Sequence, residues 1–449
     1  MTEPLVSTSP INFFKGHPTD NLLPVDEILR ATQSLLTRDR PTDKNDDDRH
    51  PLTYGSDPGS REVRKLIGDW SQQACHEGKN YPPIDPDAIN LTNGASYGAA
   101  NILQQYTLPH TGYTRQGFIV SPTYFLINSV FLDAGFSGKL TAVQEDPKTG
   151  LDFDFLEQEL QKHDAASVET NDNASAIEDP TRDRPRKLFR YVIYLVPTFS
   201  NPSGSTMSTA SRLRLLEIAR KHDMLILCDD VYDFLAFPDT NVAEIPPRIV
   251  TLDRATLAES GVDASKEYGN TVSNLTFSKL LGPGLRVGWQ ETVSPLLAQG
   301  LAQSGAVRSG GTPSQLTSMI VGEMIQLDRV HDPIISHLAK TYSARAHVLR
   351  EAIAAELPQG TEVYGGDGGY FLWVVTPETV DAQEAAKLCK ERGVVLANGS
   401  HFEVEGNPVG WGRRCQRLSI SFLTEDQIRL GIKIWGQVCR ELIQQQEKK

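Results

Sequence analysis

Four short stretches of this sequence place reactive side chains where a strand would end. In SNLTFSKLLGPGLRVGW, Lys279 follows two hydroxyl residues, Thr276 and Ser278, and Arg286 comes seven positions later, after a Gly-Pro-Gly bend. Burial among apolar neighbours makes a lysine give up its proton more readily than a surface lysine does. The neutral amine can then form a Schiff base with a carbonyl. Hydroxyls and a guanidinium are what a phosphate dianion needs around it. A lone lysine is far more often plain surface charge, but this one arrives with an anion-binding set. In LILCDDVYDF an apolar run delivers Asp229 and Asp230, with Tyr232 following. Successive side chains of an extended chain point to opposite sides, so one carboxylate is expected to face a site and the other to cap or meet solvent. A metal-binding pair is the rival reading; no histidine or second carboxylate cluster lies near enough in sequence to complete it, and no metal is expected. In PTFSNPSG, Asn201 precedes Pro202 and brings an amide to a strand's end, where open α/β sheets bind ligands. In INLTNGASYGAA a strand runs through a glycine turn into a helix start at Ala95 and Ser96, whose free N–H groups can cradle a phosphate. Taken singly, an Asn-Pro turn and a plain strand–helix connection are the commoner readings of the last two.

The elements that must position these groups alternate between about Asp87 and Val293. Expected strands are Ile89–Thr92, Gly117–Val120, Tyr191–Val196, Leu225–Cys228, Ser273–Thr276 and Arg286–Trp289. Between two of them lies RLRLLEIARKHD, whose Leu213, Leu216, Ile218 and Ala219 make one helical stripe. Strand and helix in alternation argue for a mostly parallel sheet covered on both faces. After about Pro313 the pattern changes to two helical stretches, then strand-like GGYFLWVVT, helical AQEAAKLCKERG, strand-like VVLAN and RLSISF, and a final helix from about Glu425. That describes a second, α+β unit, joined by the N-terminal segment. The expected division is therefore 1–50 as a segment associated with the small domain, 51–312 as the large domain that carries these motifs and 313–449 as the small domain. Two stretches read as insertions: the acidic loop Asp43–Asp48, and Ala165–Lys187, too charged and too poor in aromatics to order itself, read as a mobile surface loop.

Joined in this order, the motifs resemble those of class I/II aminotransferases of fold type I, dependent on pyridoxal 5′-phosphate, and the chain is similar to the branch with kynurenine and 2-aminoadipate aminotransferases. N-P-[ST]-G, D-x-x-Y, S-K-x(6)-R and a late R-x-S-x-[SN] carry the resemblance, which covers Ile11 to near the C-terminus. It implies a role for each matching residue. Lys279 would form the internal aldimine and later shuttle the proton, and Asp229 would pair with the pyridinium nitrogen. Asn201 and Tyr232 would bond the ring's 3-oxygen, and Tyr124 would lie on the ring face. Thr276, Ser278, Arg286, Ala95 and Ser96 would hold the phosphate. Arg417 would clamp the substrate carboxylate. Tyr54 would reach the phosphate of a neighbouring subunit, and Gly16 would line the substrate pocket; both imply a homodimer with shared active sites. Further pocket walls would come from Tyr370-Phe371 and the partner's Arg308–Thr312 region, with His401 as a substrate contact.

The departures from the family pattern bear on substrate. Gly94-Ala95-Ser96 replaces the usual Gly-Ser-Gln, Thr276 replaces a serine, and Asn398-Gly399 replaces a Pro-Gly. The expected reaction moves an amino group between an L-amino acid and a 2-oxo acid. A cofactor-dependent lyase, cyclase or β/γ-substituting enzyme is the alternative, because the same Lys–Asp–Asn–Tyr–Arg set supports it. A ligand-sensing regulator with a DNA-binding domain ahead of the fold is disfavoured, since the motifs already begin by Ile11. Charge agrees: 44 basic against 57 acidic residues leave a net −13, which repels phosphate backbones. No apolar run reaches the roughly 18 residues needed to cross a bilayer, so neither nucleic acid nor membrane is an expected partner. Five scattered cysteines without CxxC spacing read as reduced thiols in a cytoplasmic protein.

Overall fold

The computed structural model describes residues 4–38, 49–76, 79, 81–166, 176–177, 186–238 and 245–447. Eight strands form one sheet, in the order Ile89–Thr92, Gly288–Thr292, Thr271–Thr276, Met224–Asp229, Tyr191–Leu195, Gln116–Ser121, Leu140–Asp146 and Gly150–Leu151. The five from Thr271–Thr276 to Leu140–Asp146 pair in parallel, and Gly288–Thr292 runs antiparallel to both its neighbours. All six strands expected from sequence lie in this sheet. Leu140–Asp146 was not anticipated: it buries only part of its length, so no continuous apolar run announces it. The expected Arg286–Trp289 strand begins two residues late, because Arg286 sits in a left-handed turn at φ 53° that closes a short 3-10 turn, Pro283–Leu285.

Burial on both faces explains the apolar runs. Tyr191, Ile193 and Leu195, with Met224, Ile226 and Cys228, pack beneath the helix Thr209–His222. Val192 and Tyr194, with Leu225 and Leu227, point the other way into the larger core. The expected helical stripe is shifted: Leu215 takes the buried place given to Leu213, beside Leu216, Ile218 and Ala219. Arg212 is also buried on that helix, where it donates to the carbonyls of Pro197, Met207 and Pro247 and to Thr198 Oγ1.

A second, antiparallel sheet runs Glu362–Gly365, Phe371–Val375, Cys415–Ser419, Ala397–Asn398, and is accompanied by the helices Ser336–Glu356, Ala382–Glu391 and Glu425–Gln446. The last helix opens on a capping box between Thr424 and Gln427. The N-terminal segment is tied to this unit: Ile11–Asn12 pairs in parallel with Val394–Val395, Phe13 N–H donates to Val395 O, and Ser419 N–H donates to Phe13 O. Downstream, the helix Val25–Thr37 packs on Gln315–Gln326, which also packs on Arg61–His76. Ser34 and Arg38 both donate to the buried Glu323 carboxylate.

Of the two expected insertions, Asp43–Asp48 lies outside the described residues. So do 167–175 and 178–185 of the longer one; within it, Ala176–Ile177 pairs antiparallel with Arg186–Lys187. Among the described residues, no helix is long and apolar enough to cross a membrane.

Candidate active site

The sheet's chain order reverses between Gln116–Ser121 and Tyr191–Leu195. One is followed by its neighbour on one side, Leu140–Asp146, and the other by Met224–Asp229 on the opposite side. Ligands of open α/β sheets bind outside the carboxyl ends of strands at such a point. Here a cavity of about 180 Å³ opens there, lined by Ala95, Ser96, Tyr124, Asn201, Asp229, Tyr232, Thr276, Ser278, Lys279 and Arg286, together with Val196, Val231 and Pro283. Ten of the residues singled out from sequence thus share one space, although 191 positions separate the first from the last.

Lys279 ends the short 3-10 turn Phe277–Lys279 that follows the strand Thr271–Thr276. Its Nζ donates to Gly16 O at 3.2 Å, and Tyr370 Oη donates to its carbonyl at 2.6 Å. Burial lowers the amine to about 8; the Asp229 charge opposes this, while Arg417 and Arg286 add to it. Asp229 terminates Met224–Asp229 and is 9% exposed. Burial pushes its carboxyl up to about 6, against hydrogen bonds from Tyr194 and Asn274 and the charge of Lys279. The alternation argument holds in part, because Asp230 does face away from the cavity. It neither caps nor meets solvent, however: it is buried, accepts from Ser273 Oγ, and adjoins an interior charge cluster. There Arg248 bridges Asp233 at 2.5 Å and Glu291 at 3.1 Å, and Arg254 joins Glu291 at 2.8 Å.

At the cavity's other end Thr276 Oγ1 and Ser278 Oγ are 2.8 Å apart, and Arg286 Nη1 lies 3.4 Å from Ser278 Oγ. Arg286 is held by the carbonyls of Pro283 and Asn93, each 2.9 Å away. The helix Ala95–Tyr106 begins beside it, and its first N–H groups have no acceptor inside the helix. Gly94, at φ 90°, allows this approach: a Cβ there would lie 2.3 Å from Arg286 Nη2.

Arg417 does not line that cavity but adjoins it. Its Nη1 donates to Asn201 Oδ1 at 3.0 Å and its Nη2 to Phe14 O at 2.5 Å. Its Nε is buried and finds no partner among the described residues. The guanidinium lies over the rings of Phe371, Phe402 and Phe14 at 4.1, 4.8 and 5.3 Å. Burial lowers it to about 10, which leaves it charged at neutral pH. Tyr232 is buried next to Asn201, and burial raises its hydroxyl far above the usual range although Arg417 opposes the rise. Burial, with the Asp229 charge, takes Tyr124 up to about 12. Gly16 reaches the site through its carbonyl, and His401 packs edge-on against Phe14 at 5.4 Å. Tyr54 stands apart, 75% exposed, beside Gly310 in a surface hollow with Asn93 and Gly311. Two buried neighbours of the site carried no mark in the sequence reading, Tyr194 and Asn274. Strand alternation is the signal that could have found Tyr194, since it shares a sheet face with Leu227 and hence with Asp229.

The model of the family described as aminotransferase class I and II matches residues 9–433. The chain belongs to that family. Family membership sides with amino-group transfer over the elimination and substitution alternative, and the family depends on pyridoxal 5′-phosphate. An uncharacterized protein of Saccharomyces cerevisiae is 48% identical, covering 96% of this chain and 97% of its own. The 2-aminoadipate transaminase of Thermus thermophilus is 24% identical over 96% of this chain and 91% of its own. Among solved structures, the kynurenine aminotransferase of Pyrococcus horikoshii superposes with a TM-score of 0.71 at 22% identity, covering 97% of this chain and 92% of the other. The fold is that of the fold type I aminotransferases. The residues present fit the family's cofactor: a cradle of hydroxyls, guanidinium and helix N-terminus suits a phosphate, and a buried carboxylate at the far end suits a protonated ring nitrogen.

Proposed function

We propose that this cavity is the shared cofactor and substrate site of the transaminase and that each residue acts as its position allows. Lys279 would carry pyridoxal 5′-phosphate, Asp229 would serve its pyridine nitrogen, and Asn201 and Tyr232 its 3-oxygen. Tyr124 would pack on the ring. Thr276, Ser278, Arg286 and the Ala95 and Ser96 N–H groups would hold the phosphate. The bound cofactor supplies an electron sink conjugated to the substrate's α-carbon. Asp229 would keep the ring nitrogen protonated, and so keep that sink at full strength. Lys279 Nζ, freed when the substrate's amine takes its place on the cofactor, would take the α-proton and deliver it to the cofactor carbon to which the amine is then bound. Arg417 grips the substrate carboxylate through two parallel N–H bonds, which fixes the direction of the α-C–H bond. Gly16 would line the substrate pocket, where its carbonyl accepts from Lys279 Nζ.

The observation that carries this reading is the placement of a lysine of lowered proton affinity in one cavity with a buried carboxylate and a phosphate cradle. Lys279→Ala tests it: the wild-type protein is expected to retain cofactor mass after borohydride reduction and, in a separate unreduced sample, to convert the cofactor with an amino acid alone, a 2-oxo acid reversing the change. Cofactor retained covalently by the alanine variant would sink the assignment.

The aromatic surroundings of Arg417 favour aromatic or long aliphatic amino acids, as does the name of the Pyrococcus relative, and an acidic one, which the name of the Thermus relative prints, would be reached through a mobile arginine. Turnover of small amino acids only, in a panel of both kinds, would refute that. The exposed Tyr54 suits a role in a partner's site, so the reading includes a homodimer. It also keeps the division at about residues 50 and 312, and a cytoplasmic setting in accord with the unpaired state of Cys75, Cys228, Cys389, Cys415 and Cys439.

A further inference from the structure

Asp229 does not hold its own orientation. Tyr194, on the parallel strand to one side, donates its hydroxyl to Asp229 Oδ2 at 2.8 Å. Asn274, directly opposite Asp229 on the parallel strand to the other side, donates Nδ2 to Oδ1 at 3.3 Å. Both donors are buried, at 1% and 0% exposure, and neither lines the cavity. The second hydrogen of the same Asn274 amide points to Ala95 O at 2.9 Å, the first residue of the helix at the phosphate end. Two acceptors on one side thus settle which amide atom is the nitrogen. Helix and strand approach closely at this point: a Cβ on Gly98 would fall 2.1 Å from Asn274 Oδ1.

A carboxylate set at a strand end can rotate about its last torsion or accept a proton, and either would spoil its contact with a ring nitrogen. Two donors from outside the cavity remove the first freedom, and they favour the ionised form against burial. We propose that Tyr194 and Asn274 are positioning residues for Asp229, and that Asn274, through Ala95 O, locks the nitrogen-facing carboxylate to the phosphate-binding helix start so that both ends of the cofactor are held by one hydrogen-bonded unit. The proposal rests on the cofactor reading above.

Tyr194→Phe keeps the ring and removes only the hydroxyl; Asn274→Ala removes both amide bonds; Gly98→Ala pushes the amide aside without touching a cavity residue. Each holoenzyme is prepared with cofactor labelled with nitrogen-15 in its ring, and read by the ring nitrogen's chemical shift, by the phosphorus-31 shift and by cofactor dissociation. All variants are expected to keep the covalent link to Lys279. Tyr194→Phe should move the nitrogen-15 signal toward the unprotonated form and leave phosphorus-31 in place. Asn274→Ala and Gly98→Ala should move both signals, with dissociation on the order of tenfold more extensive for Asn274→Ala, the effect of losing a hydrogen bond to a charged group. Wild-type shifts in Tyr194→Phe and in either of the other two would overturn the proposal and leave the cofactor reading intact. Failure of the wild-type protein to bind the cofactor through Lys279 would remove that reading, and the proposal with it.

Discussion

Burial, joined by the charges of Arg417 and Arg286, outweighs the charge of Asp229 and brings the Lys279 amine down to about 8. In cofactor-free protein, its rate of modification by an amine-selective reagent should therefore rise through about pH 8, well below the ordinary lysine range. A rise centred near 10 would show that the burial is not felt. Arg417 supports a second expectation. Lysine cannot reproduce a forked donor held by Asn201 Oδ1 and Phe14 O, so Arg417→Lys should lower kcat/KM for amino acids by roughly 10- to 100-fold, chiefly through KM, with cofactor binding unchanged. Steady-state kinetics and cofactor titration check both halves. At this scale the sequence was legible where a reactive type stood at a strand end, as with Asp229 after LILC or Asn201 before proline. It was illegible for Tyr194, which reads as one more apolar member of YVIYLV until strand pairing sets it beside Asp229.

Elements place these residues by small backbone decisions. The turn before Ala95 depends on Gly94, whose φ of 90° is strained for any other residue and whose missing Cβ leaves room for the Arg286 guanidinium. Gly94→Ala should weaken cofactor binding on the phosphate side and lower stability by about 1–3 kcal/mol; cofactor titration and urea unfolding measure the two effects separately. Strand cores were readable because both-face burial demands unbroken apolar runs. Their ends were not: Arg286 belongs by composition to a strand, yet it takes a left-handed turn that brings its side chain to Ser278. Leu140–Asp146, with half its length partly exposed, looks like a loop, and the helix before Met224 turned its face by enough to exchange Leu213 for Leu215.

Across the whole molecule, the interior charge cluster contributes no group to the lysine cavity, yet Asp230 belongs to both neighbourhoods by sequence. Arg248 neutralises Asp233 and Glu291, both nearly free of solvent. Arg248→Met would strand the buried Asp233 carboxylate and leave Glu291 to Arg254 alone, and should cost about 3–5 kcal/mol, seen as a lowered urea midpoint, while the half-reaction rate of the folded fraction stays near wild type. A midpoint unchanged by the substitution would mean that these carboxylates are neutral in the fold. Nothing in the sequence marked this cluster, because its members come from stretches as distant as Ser71 and Glu291 and meet only after the sheet has formed.

The N-terminal stretch runs from its own two-stranded pairing with Val394–Val395 to the lysine cavity. Phe14 and Gly16, four residues from the paired Asn12 at most, offer their carbonyls to Arg417 and Lys279. Anyone preparing this protein should take that into account: a purification tag that displaced Leu5 and Ser7 from Gln437 and Arg392 would pull on the very segment that reaches both cations.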